Sequence, residues 1–243
     1  MFLLSLAIGY SAWADEVSCS SDSTAINCGL TIDGDDTATI NADVTVSSGD
    51  AAIYLTTDNN TINMTGDVLT SGTSVEGIQF SGAADSNTIT LNGNITTTCA
   101  SGTGSNCFGI NLAGSSNTLT MTGNVSTAGS TARGLWINGD SHTVSLTGNI
   151  TSSTDSGLLF YGDNNTVTTV GNITAGAKAI DHFGATGNTI KHTGNITTTL
   201  VNGYGAKSAN DNTMTIIGDI TTTNNSNFGF QNEGNANTTT TIT

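Results

Sequence analysis

The chain contains 243 residues, of which 9% are charged, and it has 30 glycines and no proline. An ordinary globular protein has about a quarter of its residues charged, so this composition lies well outside the usual mixture. Four basic residues against 19 acidic residues give a formal net charge of -15. Such a charge repels phosphate backbones and anionic lipid headgroups, which excludes nucleic acid as a partner.

The first fourteen residues form an apolar segment that ends in Ala12-Trp13-Ala14. Signal peptidase recognises two small residues separated by one other residue, and a transmembrane helix needs about 20 apolar residues. We therefore predict a signal peptide over residues 1–14 and an exported protein, located at the outer membrane surface or outside the cell. No lysine or arginine precedes Arg133, so the usual positive segment is absent and the choice of Met1 as the true start stays open.

Four cysteines occur as two close pairs, Cys19 with Cys28 and Cys99 with Cys107. Close pairs are typical of local disulfide bonds in an oxidising compartment, and neither pair has the CxxC spacing of a zinc site. We predict two disulfide bonds, no metal site and no cofactor. The first pair lies in residues 15–48, which we interpret as an N-terminal cap with a first irregular coil.

A short motif, which reads NTITLNGNITTT from Asn87, recurs through most of the chain. Successive copies are separated by 23 to 30 residues and alternate apolar with polar residues. This pattern is typical of a β-solenoid in which each repeat forms one coil. The motif begins at Asn60, Asn87, Asn117, His142, Asn165, Asn188 and Asn212, with a partial copy at Asn237.

Residues of the same parity within a copy share one face of a strand. Ile89, Leu91 and Ile95 are predicted to point inward, and the glycine at the seventh place is predicted to allow a corner. A further strand, such as GIQFSG from Gly77 or GLWING from Gly134, completes the coil. We therefore predict an all-β fold, a single-stranded parallel β-helix (β-solenoid) over residues 49–243, with about eight coils and three short strands per coil.

The alignment of the copies also predicts which inward side chains stack on one another. The third place forms one column, which contains Ile62, Ile89, Leu119, Val144, Val167, Ile190 and Met214. The fifth place reads Met64, Leu91, Met121, Leu146, Thr169, His192 and Ile216. Thr169 and His192 are therefore expected to be neighbours in an apolar interior, where a hydrogen bond avoids the cost of an unpaired polar group. His182 is predicted to face the same interior.

A signal sequence followed by coils of the NTITLNGNITTT kind resembles the passenger region of bacterial autotransporters. The resemblance covers about Gly49 to Thr243 and implies a right-handed β-helix that is exported by a C-terminal outer-membrane barrel. The chain ends inside a repeat, NTTTTIT, so we predict a fragment that lacks this barrel. The resemblance implies an adhesive or structural scaffold without catalysis, with a host-cell surface, a glycan or the matrix as partner.

Two surface features are candidate contact sites. The third strand of the coil places Trp136 and Leu159 outward in consecutive coils, as an exposed patch for a carbohydrate or a protein unless a loop covers them. Outward Thr-x-Thr pairs form a ladder suited to binding ice, although threonine is also favoured in any strand. The ladder contains Thr88, Thr90, Thr118, Thr120, Thr143, Thr166, Thr168, Thr213 and Thr215, and it is interrupted by Asn63 and Lys191.

An enzymatic site has less support in the sequence. A β-helix enzyme needs clustered carboxylates or a Ca²⁺ site with basic partners on one face, and no such cluster is evident. The basic residues Arg133, Lys178, Lys191 and Lys207 fall in different coils. A carbohydrate-active β-helix enzyme is therefore the second alternative, after ice binding.

Four aspartates form a partial column two residues before the motif. The column is interpreted as a repeated Asx turn, with weak Ca²⁺ binding as the alternative. It contains Asp58, Asp85, Asp140 and Asp163.

Overall fold

The chain folds as a parallel β-solenoid. The computed structural model describes residues 21–22, 25–26, 30–32, 37–47, 51–100, 106–224, 227–233 and 239–243. Within these ranges all regular secondary structure is β-strand, and each coil contributes one strand to each of three sheets. About eight coils stack in this way, which confirms the predicted fold class. In the same ranges no helix is long and apolar enough to cross a membrane.

The first sheet contains the strands that open each copy of the motif. Its neighbouring strands pair in parallel, with residues of the same motif place opposite one another. The strands are Thr37–Ile40, Thr61–Thr65, Thr88–Asn92, Thr118–Thr122, Thr143–Thr147, Thr166–Val170, Thr189–Thr193, Thr213–Ile217 and Thr239–Ile242.

The second sheet contains the strands that follow the motif glycine. Its first two strands pair antiparallel and the rest pair in parallel. The strands are Ser21–Asp22, Ala25–Ile26, Asp43–Val46, Val68–Gly72, Ile95–Cys99, Val125–Ala128, Ile150–Ser152, Ile173–Ala175, Ile196–Thr198 and Ile220–Thr222.

The third sheet is parallel and closes each coil. It includes the predicted strands that contain Gly77 and Gly134. Its strands are Leu30–Ile32, Ile53–Leu55, Glu76–Phe80, Cys107–Leu112, Ala132–Ile137, Ser156–Phe160, Lys178–His182, Tyr204–Ser208 and Phe228–Asn232.

The core is one continuous cluster enclosed by the three sheets. The predicted third-place column is confirmed, because its seven residues pair in register from coil to coil and all are buried. The fifth-place column is confirmed in the same way. The repeat therefore fixes both the strand register and the direction of the side chains.

Three polar side chains in the interior also occupy their expected places. The hydroxyl of Thr169 and Nδ1 of His192 are hydrogen-bonded at 2.8 Å, as expected for a buried pair. His182 is buried against Phe160, with 4.7 Å between ring centroids. Burial lowers the pKa of His192, and it lowers the pKa of His182 to about 4, so both imidazoles are neutral at pH 7.

A ladder of buried side chains lies at the corner that precedes the first sheet. The side-chain oxygen of each motif asparagine accepts a hydrogen bond from the main-chain N–H of the motif asparagine one coil earlier. Where His142 replaces asparagine, its Nδ1 accepts from the N–H of Asn117 at 3.1 Å. The other acceptors are Asn87, Asn117, Asn165, Asn188 and Asn212, at 2.7 to 2.8 Å.

A second ladder lies at the corner between the first and second sheets, directly after the motif glycine. Here the side-chain oxygen accepts from the main-chain N–H of the next coil, at 2.7 to 3.1 Å. Gly123 shows why the corner needs glycine, because its φ is +143° and a Cβ would meet the carbonyl oxygen of Gly93. The acceptors are Asp43, Asp67, Asn94, Asn124, Asn149, Asn172 and Asn195.

The structure tests one of the two predicted disulfide bonds. Cys99 and Cys107 form the expected disulfide bond, which joins the end of a second-sheet strand to the start of the following third-sheet strand. The bond closes the longest insertion in the repeat, where a loop of this size contributes about 2–3 kcal/mol in the chain-entropy estimate. Cys19 and Cys28 lie outside the described residues, so their pairing stays a prediction.

We expect the free energy of unfolding to fall as the pH is lowered from 6.5 to 4. Burial lowers the pKa of His142 to about 4 from the ordinary 6.5, as it does for His182. In this pH range the histidines of the unfolded chain are therefore protonated before those of the folded chain. The contribution of each of the two histidines to the free energy of unfolding falls by on the order of 3 kcal/mol. His142→Asn restores the usual ladder residue and should remove its share of this loss, measured by urea unfolding at pH 7 and pH 4.5.

The reverse exchange is the matched control. Asn165→His places an imidazole one coil further along the same ladder and should add acid sensitivity of similar size. If His142→Asn leaves the pH dependence unchanged, the protonation of His142 is not linked to folding.

Candidate functional site on the outer face of the third sheet

Most third-sheet strands present two outward side chains each, because their glycine and the residue after it both point inward. In the strand that contains Gly134, a Cβ at this glycine would point at Ile150 in the interior, and the following Leu135 and Ile137 belong to the core. The residue before the glycine and the residue two places after it therefore lie on the outer face.

These outward residues form two columns along the rod. The column before the glycine contains Glu76, Phe108, Arg133, Ser156, Tyr204 and Phe228, with Lys178 where alanine replaces the glycine. The column after it contains Tyr54, Gln79, Asn111, Trp136, Leu159, Asp181, Lys207 and Gln231.

Four aromatic rings form a continuous aromatic strip across this face: Phe108, Trp136, Tyr161 and Phe183. The centroid separations are 4.8 Å from Phe108 to Trp136, 6.0 Å from Trp136 to Tyr161 and 5.0 Å from Tyr161 to Phe183. Phe108 is buried and Trp136 is half-buried. Tyr161 is 43% exposed and Phe183 is 53% exposed, so half of the strip faces solvent.

Arg133 lies at the buried end of the aromatic strip. Its guanidinium carbon is 5.3 Å from the ring centroid of Phe108 and 5.7 Å from that of Trp136, within the range of cation–π attraction. Its Nε donates to Oδ2 of Asp155 at 2.8 Å. The guanidinium is thus held both by the rings and by a carboxylate.

An ion cluster made of Lys178, Asp181, Lys207 and Glu233 lies at the other end of the face. Asp181 is fully buried, with Nζ of Lys178 at 3.0 Å from Oδ2 and Nζ of Lys207 at 3.4 Å from Oδ1. Lys207 also pairs with Glu233 at 3.3 Å and lies 5.7 Å from the ring centroid of Phe183. The cluster therefore adjoins the exposed end of the aromatic strip.

Two further groups on this face have raised pKa values. Burial raises the pKa of Tyr204, and its hydrogen bond to Asp181 raises it further, so the phenol stays protonated. Burial raises the pKa of Glu76 to about 7, although a hydrogen bond from Asn111 acts in the opposite direction.

The face differs in two respects from the sequence expectation. The basic residues do lie in different coils, but stacking brings Arg133, Lys178 and Lys207 to one face, with carboxylate partners. These ion pairs were not predicted from the sequence. Trp136 and Leu159 pair in adjacent coils as expected, but Leu159 is only 3% exposed and offers no accessible patch.

Sequence reasoning missed Tyr161 and Phe183, which supply the exposed part of the aromatic strip. Each follows directly after a third-sheet strand, Ser156–Phe160 or Lys178–His182. When GLLFY is aligned with the last five residues of KAIDHF, Tyr161 and Phe183 fall in one column. Each strand ends one residue before its aromatic residue, so the strand pattern alone does not show this column.

The threonines of the first sheet form outward columns in register. The second place of the motif, or the position that pairs with it, is threonine in nine successive strands: Thr37, Thr61, Thr88, Thr118, Thr143, Thr166, Thr189, Thr213 and Thr239. Thr239 pairs with Thr213, so the last copy is in register one residue later than the predicted start at Asn237 implies. The fourth place includes Thr90, Thr120, Thr168 and Thr215, with Ser145 in one coil. Asn63 and Lys191 occupy this place in two other coils, as expected.

The aspartate column has a structural role at its corner. Oδ1 of Asp58 accepts from the N–H of Asp85 at 2.8 Å, and Oδ1 of Asp140 accepts from the N–H of Asp163 at 2.7 Å. Oδ1 of Asp163 in turn accepts from the N–H of Thr186 at 2.7 Å. Among the described residues, no three His, Cys, Asp or Glu side chains are arranged to hold a metal ion. Each of these hydrogen bonds joins residues one coil apart, so the contacts form a further ladder between coils rather than the local Asx turns that were predicted.

Comparison with known proteins finds no matching family model, no matching curated protein and no matching solved structure. The class of the protein therefore follows from its own geometry. It is a parallel β-solenoid in which one outer face carries aromatic and ion-paired side chains, while the first sheet carries ordered threonine columns.

Asp181→Ala should lower the free energy of unfolding by about 3–5 kcal/mol, because it leaves two lysines of the ion cluster without their buried partner. Urea unfolding monitored by circular dichroism measures the loss. Lys191→Ala is the control, since Lys191 is exposed on the first sheet and forms no ion pair in the described structure. A loss in Asp181→Ala as small as that in the control would contradict a structural role for the cluster.

Proposed function

We propose that this chain is a rigid β-solenoid scaffold whose outer third-sheet face is a contact surface for a partner. The observation that carries the proposal is the aromatic strip, which leaves Tyr161 and Phe183 exposed next to an ordered ion cluster. Exposed neighbouring aromatic rings on a soluble surface are typical of binding sites. These rings do not belong to the hydrophobic core, so the described fold does not depend on them.

We further propose that the scaffold belongs to an exported protein of the autotransporter passenger type. The parallel coils support the passenger type. The Cys99–Cys107 disulfide bond supports export alone, because disulfides persist in oxidising compartments outside the cytosol. A host-cell surface, a glycan or the extracellular matrix is the expected partner. The solenoid keeps the contact face ordered, since neighbouring coils are hydrogen-bonded to one another.

The contact face can be tested by adding one carboxylate to each sheet in turn. Phe183→Glu should abolish adhesion of the purified chain to a cell layer or matrix coat, because it places a charge in the aromatic strip. Thr120→Glu on the first sheet and Thr96→Glu on the second are matched controls at exposed strand positions. Equal adhesion by all three variants, with unchanged melting temperatures, would place the contact surface elsewhere.

A second candidate function is ice binding by the threonine columns of the first sheet. Nine registered threonines favour it, because strands about 4.8 Å apart repeat the hydroxyl and methyl groups at a constant interval. The hydroxyls of Thr90 and Thr120 have no protein partner and face solvent, so they are available to order water.

Thermal hysteresis and ice recrystallisation assays test this second function. Lys191→Thr completes the fourth-place column and should increase the activity, whereas Thr120→Lys introduces a bulky charge and should abolish it. Thr96→Lys, on the second sheet, should have no effect. A wild-type chain without hysteresis or recrystallisation inhibition would rule out the ice-binding function.

A further inference from the structure

We infer that the aromatic strip binds a neutral, linear polysaccharide that runs along the rod. The inference rests on the proposed contact function and specifies its ligand. Three features carry it: the direction of the strip, the groups beside the exposed rings, and the pairing of every cation on the face.

The direction of the aromatic strip favours an extended ligand. Its four rings come from four successive coils, so the strip follows the stacking axis rather than a single strand. Adjacent ring centroids are 4.8 to 6.0 Å apart. The largely exposed rings are Tyr161 and Phe183, with centroids 5.0 Å apart, so a ligand that contacts both spans two adjacent coils and runs along the same axis.

The surroundings of the exposed rings favour a ligand with both apolar and hydroxyl groups. Tyr161 and Phe183 offer aromatic faces and edges to solvent, and the phenol of Tyr161 adds a hydrogen-bonding group. Asn138 precedes Tyr161 in the same outward column, and its side-chain amide is exposed and has no hydrogen-bond partner among the described residues. A sugar ring has C–H groups that pack on aromatic rings and hydroxyl groups that pair with an amide.

The charges of the face favour a neutral ligand over an acidic one. Arg133 pairs with Asp155, Lys178 pairs with Asp181, and Lys207 pairs with Asp181 and Glu233. Each cation of this face thus already has a carboxylate partner, so none is an unpaired charge. The formal net charge of -15 further repels polyanions.

The test compares binding of the full chain to insoluble β-1,4-glucan, mannan, polygalacturonate and heparin. We expect binding to a neutral polysaccharide that changes little between 0.05 and 0.5 M salt, about the range over which screening removes surface electrostatics. The double variant Tyr161→Ala/Phe183→Ala should bind at least about tenfold more weakly. Val170→Ala/Ile217→Ala is the matched control, because these apolar residues are 45% and 41% exposed on the first sheet.

Each outcome decides the inference. Loss of binding in Tyr161→Ala/Phe183→Ala but not in the control supports it. If the chain binds only polygalacturonate or heparin, the inference that the ligand is neutral is wrong. If it binds none of the four polymers, the inference that the ligand is a polysaccharide is wrong. If the double variant instead loses adhesion to a protein coat, the contact surface stands and the glycan is wrong. If the double variant still binds a neutral glycan, both the proposed contact surface and the inference that the aromatic strip binds the glycan are wrong.

Discussion

Main-chain N–H groups at the corners of the coil must find acceptors in a neighbouring coil, and the rest of the structure depends on this requirement. A buried N–H without an acceptor costs about 1–3 kcal/mol, and each added coil repeats the need. Asparagine and aspartate side chains supply these acceptors in ladders that run along the rod. His142 shows that the requirement concerns the acceptor rather than the residue type, because its neutral Nδ1 replaces an amide oxygen. The repeated Asn-Thr and Gly-Asn pairs are therefore consequences of stacking.

Because the ladders and the inward columns hold the coils together, the outer faces are free to differ. On the first sheet the outward places repeat threonine almost without change, as β-propensity alone would favour. On the third sheet the equivalent places change from coil to coil and include Arg133, Trp136 and Asp181. A buried aspartate with two lysine partners is a costly arrangement, and apolar side chains in place of the whole ion cluster could be as stable. Its presence on one face is difficult to explain by stacking alone and indicates that this face has a separate role.

The sequence predicted the parts of the structure that the motif itself determines. The inward columns, the glycine corners and the Thr169–His192 hydrogen bond follow from aligning the copies, because register in a parallel stack repeats with the motif. The contact face was predicted only in part. The outward direction of Trp136 was evident from parity, but the burial of Leu159 depends on side chains from neighbouring coils, which alternation does not describe. The ion cluster was missed because residues far apart in sequence become neighbours only after stacking.

The distribution of charge connects the scaffold with its contact face. Many of the acidic residues, such as Asp58, Asp67 and Asp140, lie at corners where their carboxylates accept main-chain hydrogen bonds. The negative charge of the rod is therefore a by-product of the ladders and is spread along its corners. On the third-sheet face, by contrast, each basic side chain has an acidic partner, and burial raises the pKa of Glu76 to about 7. Anionic corners beside a balanced aromatic face repel polyanions and leave stacking and hydrogen bonding as the attractive forces. Since each such contact is weak, the proposed binding requires contacts from several coils at once, and the parallel stack aligns these contacts.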